Sequence, residues 1–220
     1  GSVVTALHQW ERTGTGQWVE ASLLDGQVAA LSYHATAYLG TGIEPSRMGQ
    51  GHPSLVPYQS FASSDGYFIV GCANQGLWER LCYGIGRPDL LEDPRFATNT
   101  DRVKHREQCV GELAEIFRGD TTEHWVSLIV ECGVPCGPIN KVSEVVNDPQ
   151  VLARKMIVDV DHPNVPDLKI PNTPFKLSES PSSVRRPPPL LGQHNDEVLS
   201  ESGYTTEQIF DLRKRGVIGG

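Results

Sequence analysis

The chain opens with apolar surface that has nothing of its own to lie against. Val3, Val4, Leu7 and Trp10 recur at helical spacing and stop before Gly14 and Gly16, which predicts an amphipathic helix. Trp18 to Ala21 reads as a short extended piece. Leu23, Leu24, Gln27, Val28, Leu31 and Tyr38 then predict a second helical stretch, with Ser22 as its cap. A single strand of that length is no sheet to bury two apolar helices against. The opening is therefore expected to belong to a larger layer whose other members are missing from this sequence.

The middle of the chain shows no such deficit. Tyr58–Ala62 and Tyr67–Ala73 flank "SSDG", the composition of a hairpin turn. A helix is predicted over Gln75–Gly84, with Leu77, Trp78, Leu81 and Cys82 on its apolar side. "GRPDLLEDPRF" is a turn-rich connection. Thr100–Arg118 predicts one long helix through Val103, Cys109, Val110, Leu113, Ile116 and Phe117. Thr121 or Thr122 caps another, whose inner face is Trp125, Leu128, Ile129 and Cys132. "GVPCGPIN" closes this α+β lobe as a rigid turn, because Pro135 and Pro138 each lock a φ angle.

Beyond it, "KVSEVVNDPQVLARKM" predicts two short helices separated at Asp148-Pro149. "MIVDVDHPNVPDLKIPNTPF" predicts two strands joined by a proline-rich turn. A polyproline-like strap, "SPSSVRRPPPLLGQ", runs into a helix beginning near His194. The last helix starts at Thr205 or Thr206, with Ile209, Leu212 and Val217 expected to face inward.

Acidic residues outnumber basic ones by 27 to 19, a formal charge of -8. That balance argues against nucleic acid as a partner, since such binding relies on Lys and Arg neutralising phosphates. No apolar run approaches the roughly 20 residues that span a bilayer, and no secretion signal is read at the start. The five cysteines are odd in number and irregularly spaced, so they do not make a disulfide framework. Cys132 and Cys136 lack a second pair or a nearby histidine cluster, so no metal site is expected. Reduced, mostly buried thiols in an intracellular protein fit better.

Candidate chemistry is sparse. Cys136 as a nucleophile, with His124 or His162 as base, would make a cysteine hydrolase, but no basic neighbour is evident to stabilise a thiolate. Asp25, Asp159 and Asp161 read as solvated surface acids; Asp159 and Asp161 alternate along a predicted strand. His52 and His194 read as hydrogen-bonding loop residues. "MGQGHP" matches neither a phosphate loop nor a dinucleotide fingerprint. Taken alone it reads as a linker, although its glycines would let backbone N–H groups approach a developing charge.

Four motifs change that weighting when taken together. "ERTGTGQWVEASLLDGQ", "HPSLVPYQSFASSDGYFIVG", "GVPCGPIN" and "RPPPLLGQHNDEVL" occur in this order. In content and spacing they resemble the class III CoA-transferase (CaiB/BaiF) family, and within it the succinate–hydroxymethylglutarate (glutarate) CoA-transferase branch.

The resemblance implies an α/β fold: the edge of a Rossmann-like large domain, an inserted small α+β domain, and a C-terminal return to the large domain. Residues 1–40 would be the large-domain edge and 41–56 a linker with a glycine-rich loop. The small domain would cover 57–140, and the return strands, strap and helices 141–220. The resemblance also implies an interlocked homodimer, acyl-CoA and carboxylic (in this branch dicarboxylic) acid substrates, and no cofactor, the CoA thioester being the substrate itself.

In the family's transferases an aspartate carries the acyl group as an anhydride and then CoA as a thioester. That aspartate is expected upstream of Gly1, so no catalytic residue is assigned within the chain, and Asp25 stands on the wrong side of the motif to replace it. The loop that covers the intermediates would be Gly49, Gln50, Gly51, His52 and Pro53, where Met48 and Gln50 interrupt an otherwise unbroken glycine run. Location would be mitochondrial or cytoplasmic. Two other readings stay open: a 2-methylacyl-CoA racemase of the same family, and a non-catalytic assembly module that pairs through its exposed apolar helices.

Overall fold

A computed structural model describes residues 1–219. The chain divides into two compact units, Gly1–Pro138 and Ile139–Gly220.

The first unit begins with three helices: α1 (Ser2–Thr13), α2 (Leu23–Ala30) and α3 (Ser32–Thr41). Gly14 ends α1 in the left-handed region at φ 70°, as a C-terminal glycine does. Ser22 caps α2 by accepting from the Asp25 N–H at 3.3 Å. Two expectations need correction. Trp18–Ala21 pairs with no strand among the described residues, and extended backbone becomes a strand only when a neighbour completes the ladder. The stretch from Leu23 to Tyr38 is two helices rather than one, separated where Ser32 takes a φ of 45°. No residue of α1, α2 or α3 is buried.

Strands β1 (Tyr58–Ala62) and β2 (Tyr67–Gly71) pair antiparallel, with Tyr58 opposite Gly71 and Ala62 opposite Tyr67. The second strand ends at Gly71 rather than Ala73. The "SSDG" turn is tied from outside: Asp65 accepts from the Thr122 N–H at 2.8 Å, and the Ser64 N–H donates to Asp120 O at 2.9 Å. Helix α4 (Gln75–Gly84) buries Leu77, Trp78, Leu81 and Cys82. A short α5 (Asp89–Glu92) lies within the turn-rich connection.

The predicted long helix is α6 (Asn99–Lys104) followed by α7 (Arg106–Phe117), broken at His105, whose φ and ψ are -109° and 36°. Helix α8 (Thr122–Glu131) starts at Thr121, whose hydroxyl accepts from the His124 N–H at 3.2 Å.

"GVPCGPIN" proves to be more than a turn. Its centre is β3 (Cys136–Pro138), which adds to the free side of β2 with Val70 opposite Cys136 and Phe68 opposite Pro138. Proline is tolerated there because β3 is an edge strand in the order β1-β2-β3.

The core of this unit lies entirely between Val56 and Val134. Phe117 sits at its centre, meeting Phe61, Phe68 and Trp125 edge-on at centroid distances of 5.0, 5.1 and 5.3 Å, a favoured aromatic geometry. The buried Trp125 indole donates to Phe117 O at 2.7 Å, so its polar end is satisfied.

The second unit holds α9 (Val142–Val145), α10 (Pro149–Ala153), β4 (Ile157–Asp159), β5 (Lys169–Pro171), α11 (Asn195–Glu201) and α12 (Thr206–Lys214). β4 and β5 pair antiparallel, with Val158 opposite Ile170. The strand stops at Asp159, so Asp159 and Asp161 do not alternate along it. Thr205 caps α12 in a capping box with Gln208. Ile209 faces inward, whereas Val217 lies beyond the helix and is exposed. Among the described residues of this second unit, Ile209 alone is buried.

Candidate functional site

Met48 to Pro53 forms a tight turn that lines an open cleft of about 390 Å3 within the first unit. The Gly51 N–H donates to Met48 O at 3.0 Å, and Gly49 between them has φ 59°, a conformation that favours glycine. Gly51 answers a different need. A Cβ there would stand 3.3 Å from Met48 O and 3.5 Å from both Arg106 Nη1 and Gln59 Oε1. The tight approach is within the loop, to Met48 O, while Arg106 and Gln59 stand at ordinary contact distance.

His52 is held at four points. Its N–H donates to Tyr58 O at 3.0 Å, and its carbonyl accepts from Arg106 Nη2 at 2.8 Å. Its Nδ1 accepts from the Ser54 N–H at 3.2 Å, which places the proton of the neutral ring on Nε2. The ring itself stacks 5.8 Å from Tyr33 of α3 and lies 5.5 Å from Tyr58. Tyr33, His34, Ser46, Met48, Tyr58 and the loop line the cleft together. The lining carries hydroxyl, imidazole and amide groups and no carboxylate, unlike the acidic chain as a whole.

Two arginines stand behind this wall, and neither was legible as a site residue in the sequence. Arg102 is fully buried. It donates to Val56 O at 2.7 Å, Phe96 O at 2.9 Å and Gln75 Oε1 at 3.1 Å, and lies 4.8 Å from the Trp78 ring centroid. Arg106 donates to His52 O and, at 3.0 Å, to Pro53 O. All of these partners are neutral. Burial pushes the pKa of both guanidiniums down, but an arginine stays charged in proteins. Arg102 Nη2 and Arg106 Nη1 are both buried without a hydrogen-bond partner. Arginines on a helical pattern ordinarily read as a solvated face, so only long-range contacts reveal these two.

The other candidates lie elsewhere. Cys136 is half-buried on β3, and burial pushes its thiol pKa up to about 11, the opposite of an activated nucleophile. Cys72 and Cys109 are pushed up to about 12 for the same reason. His124 sits on α8, 3.9 Å from Asp120. His162 accepts from the Asn164 N–H in a loop of the second unit. Asp25 is exposed in the first turn of α2, Asp159 is exposed 3.6 Å from Lys169, and Asp161 is exposed after the strand. His194 precedes α11 and lies 3.0 Å from Glu197.

These mixed α/β units with small sheets are similar in structure to a CAIB/BAIF family protein from Brucella suis. That crystal structure superposes with a TM-score of 0.75 at 35% identity, over 90% of this chain and 51% of that one. The chain belongs to CoA-transferase family III, whose family model matches residues 1–195. It is 38% identical to an acyl-CoA transferase of Fusarium pseudograminearum, over 99% of this chain and 48% of the relative. It is 36% identical to the human succinyl-CoA:glutarate CoA-transferase, over 99% of this chain and 50% of the relative. The chain thus spans about half the length of the curated relatives it matches. No helix among the described residues is long and apolar enough to cross a membrane.

Proposed function

We propose that this chain is the C-terminal portion of a CoA-transferase that moves CoA from an acyl-CoA, such as succinyl-CoA, to a dicarboxylic acid. The observation that carries this is family membership together with relatives that act on succinyl-CoA and glutarate and are about twice as long. In this reading residues 1–40 edge a Rossmann-like large domain. Residues 57–140 form the inserted small domain, and 141–220 return to the large one. The complete protein is an interlocked homodimer.

The reaction begins when an aspartate supplied by the other half attacks the thioester carbonyl. The C–S bond breaks, CoA leaves as thiolate, and an aspartyl–acyl anhydride forms. The thiolate then attacks the aspartyl carbonyl, releasing the donor acid as carboxylate and leaving an aspartyl-CoA thioester. The acceptor carboxylate attacks that thioester in turn, giving a second anhydride and free thiolate. Attack of the thiolate on the acceptor carbonyl yields the new acyl-CoA and regenerates the aspartate.

The two anhydrides and the thioester between them are all destroyed by water. The contribution of this chain is the cover: Gly49, Gln50, Gly51, His52 and Pro53 present compact backbone, with the Nε2–H of His52 as a donor toward an acyl oxygen or carboxylate.

Alone, the chain is expected to form no glutaryl-CoA from succinyl-CoA and glutarate, and to do so once the other half is added. Turnover by the purified chain would refute the assignment. A racemase reading predicts instead exchange of an α-proton on a 2-methylacyl-CoA without CoA transfer.

A further inference from the structure

The loop Gly49–Pro53 is held very differently on its two sides. On the far side, three side chains from α6 and α7 grip the backbone of residues 52–56. Asn99 Nδ2 donates to Ser54 O at 2.8 Å, and its Oδ1 accepts from the Val56 N–H at 3.2 Å. Arg102 Nε donates to Val56 O at 2.7 Å. Arg106 Nη2 reaches furthest along the loop, to His52 O at 2.8 Å and Pro53 O at 3.0 Å. Positions 99, 102 and 106 are at helical spacing, and across the break at His105 all three side chains meet the one backbone segment 52–56.

On the near side the hydrogen bonds described stay within the loop, Gly51 N–H to Met48 O at 3.0 Å and Ser46 Oγ to Met48 Sδ. Nothing lies within 4 Å of where a Cβ on Gly49 would stand. A glycine in open space with a left-handed φ can pivot at little steric cost.

We propose that Arg106 is the positioning residue of this loop. It holds the Gly51–Pro53 limb at fixed height against α7 while the Met48–Gly49 limb pivots. Its location under the loop supports this. Nη2 forks between two consecutive carbonyls, and Nη1, buried and unpartnered, is 3.5 Å from the Cβ position of Gly51. A guanidinium does this better than an ammonium because its donors are fixed in one plane. The charge also leaves the floor of the loop positive, which favours an anionic group lying over Gly51. The functional part of the proposal rests on the loop being a cover for acyl intermediates; the positional part does not.

The test has two arms. In the first, hydrogen exchange is followed on the 220-residue chain with Arg106→Gln, Arg106→Lys and, as a control, Leu113→Ala. Leu113 lies on the same helix and is fully buried in the core. Arg106→Gln is expected to speed exchange at Gly51, His52 and Ser54 roughly tenfold, the effect of losing one to two charge-assisted hydrogen bonds, with β1 and β2 unchanged. Arg106→Lys, which keeps the charge but on a single nitrogen without the planar fork, should fall between wild type and Arg106→Gln. Leu113→Ala should speed exchange in the core without singling out the loop. If loop exchange stays at the wild-type rate in Arg106→Gln, or rises only in step with the core, the positioning role is overturned.

In the second arm the same variants are assayed in the complex completed with the other half. Arg106→Gln is expected to raise acyl-CoA hydrolysis relative to CoA transfer at least several-fold, with KM for the acyl-CoA little changed. Faster loop exchange with an unchanged partition would keep the positioning role and overturn the cover.

Discussion

Trp78 and Trp18 show how differently two regions of this chain use the same kind of residue. Trp78, in the lobe between Val56 and Val134, is 0% exposed; Trp18, in the opening segment, is 89% exposed. Both regions carry helices with apolar stripes and side-chain caps. Helix α4 buries four residues of its stripe in the core, where it packs against α5 and α8, whereas α1, α2 and α3 bury none. Amphipathic patterning makes a helix in either place, but it makes a core only where a second apolar layer faces it. The contrast also locates the stability of the chain, because apolar area removed from water is its main source.

The largest effect that could break this comparison is a pair of truncations. Trp78→Ala is expected to cost about 4 kcal/mol in urea unfolding of the chain. Trp18→Ala should change it by no more than about 0.5 kcal/mol. Similar costs for the two would mean that the opening segment is packed after all.

Charge gives a second contrast. Arg102→Met strips Val56 O and Phe96 O of their donor in the core and is expected to cost about 3 kcal/mol. Arg215 forms an exposed pair with Asp211 at 3.2 Å, and Arg215→Met should be nearly silent, within about 0.5 kcal/mol. The same denaturation series reads both.

Caps sharpen the difference further down. Thr121→Ala, at the start of α8, should lower stability by about 1 kcal/mol. Ser22→Ala is expected to fray α2, seen as lost helical circular dichroism, while the unfolding midpoint of the lobe stays in place.

The smallest effect is in the acid limb. The Thr122 N–H, with the Ser63 and Thr122 hydroxyls, holds the Asp65 carboxyl pKa below its ordinary value. A depressed folded pKa contributes stability that is present above the unfolded value, near about 3.9, and is lost as pH falls through the folded value. Asp65→Asn should therefore flatten the stability curve of the lobe below about pH 4. In the second unit, Arg186 holds the Glu197 pKa down in the same sense, and Glu197→Gln should leave the acid unfolding of the lobe untouched.

Much of the lobe was legible from residues near one another in the chain. The Leu77, Trp78, Leu81 and Cys82 spacing marks α4 from end to end. "SSDG" places the hairpin, and the Thr121–Thr122 pair places the start of α8, with Thr121 proving to be the cap. Where sequence reasoning failed, the deciding contact was distant. The prolines of "VPCGP" argue for a turn, yet β2 has a free edge that accepts them as β3. His105 continues the periodicity of a long helix, yet the chain bends there between α6 and α7. The glycines of the loop were visible as a linker; the residues that hold them were not, because Arg102 and Arg106 look like any two charges four apart on a helix.

Periodicity, caps and turn chemistry act over a few residues, so the order of letters was enough to assign most helices, the hairpin and the family motifs. The burial of Arg102, the clamp of Arg106 and the stack of Tyr33, His52 and Tyr58 depend on backbone and rings brought together by the fold. Arg102 meets Val56 across 46 positions and Arg106 meets His52 across 54. A charged side chain is hydrated until packing removes the water and substitutes carbonyls, and that exchange is written only in three dimensions.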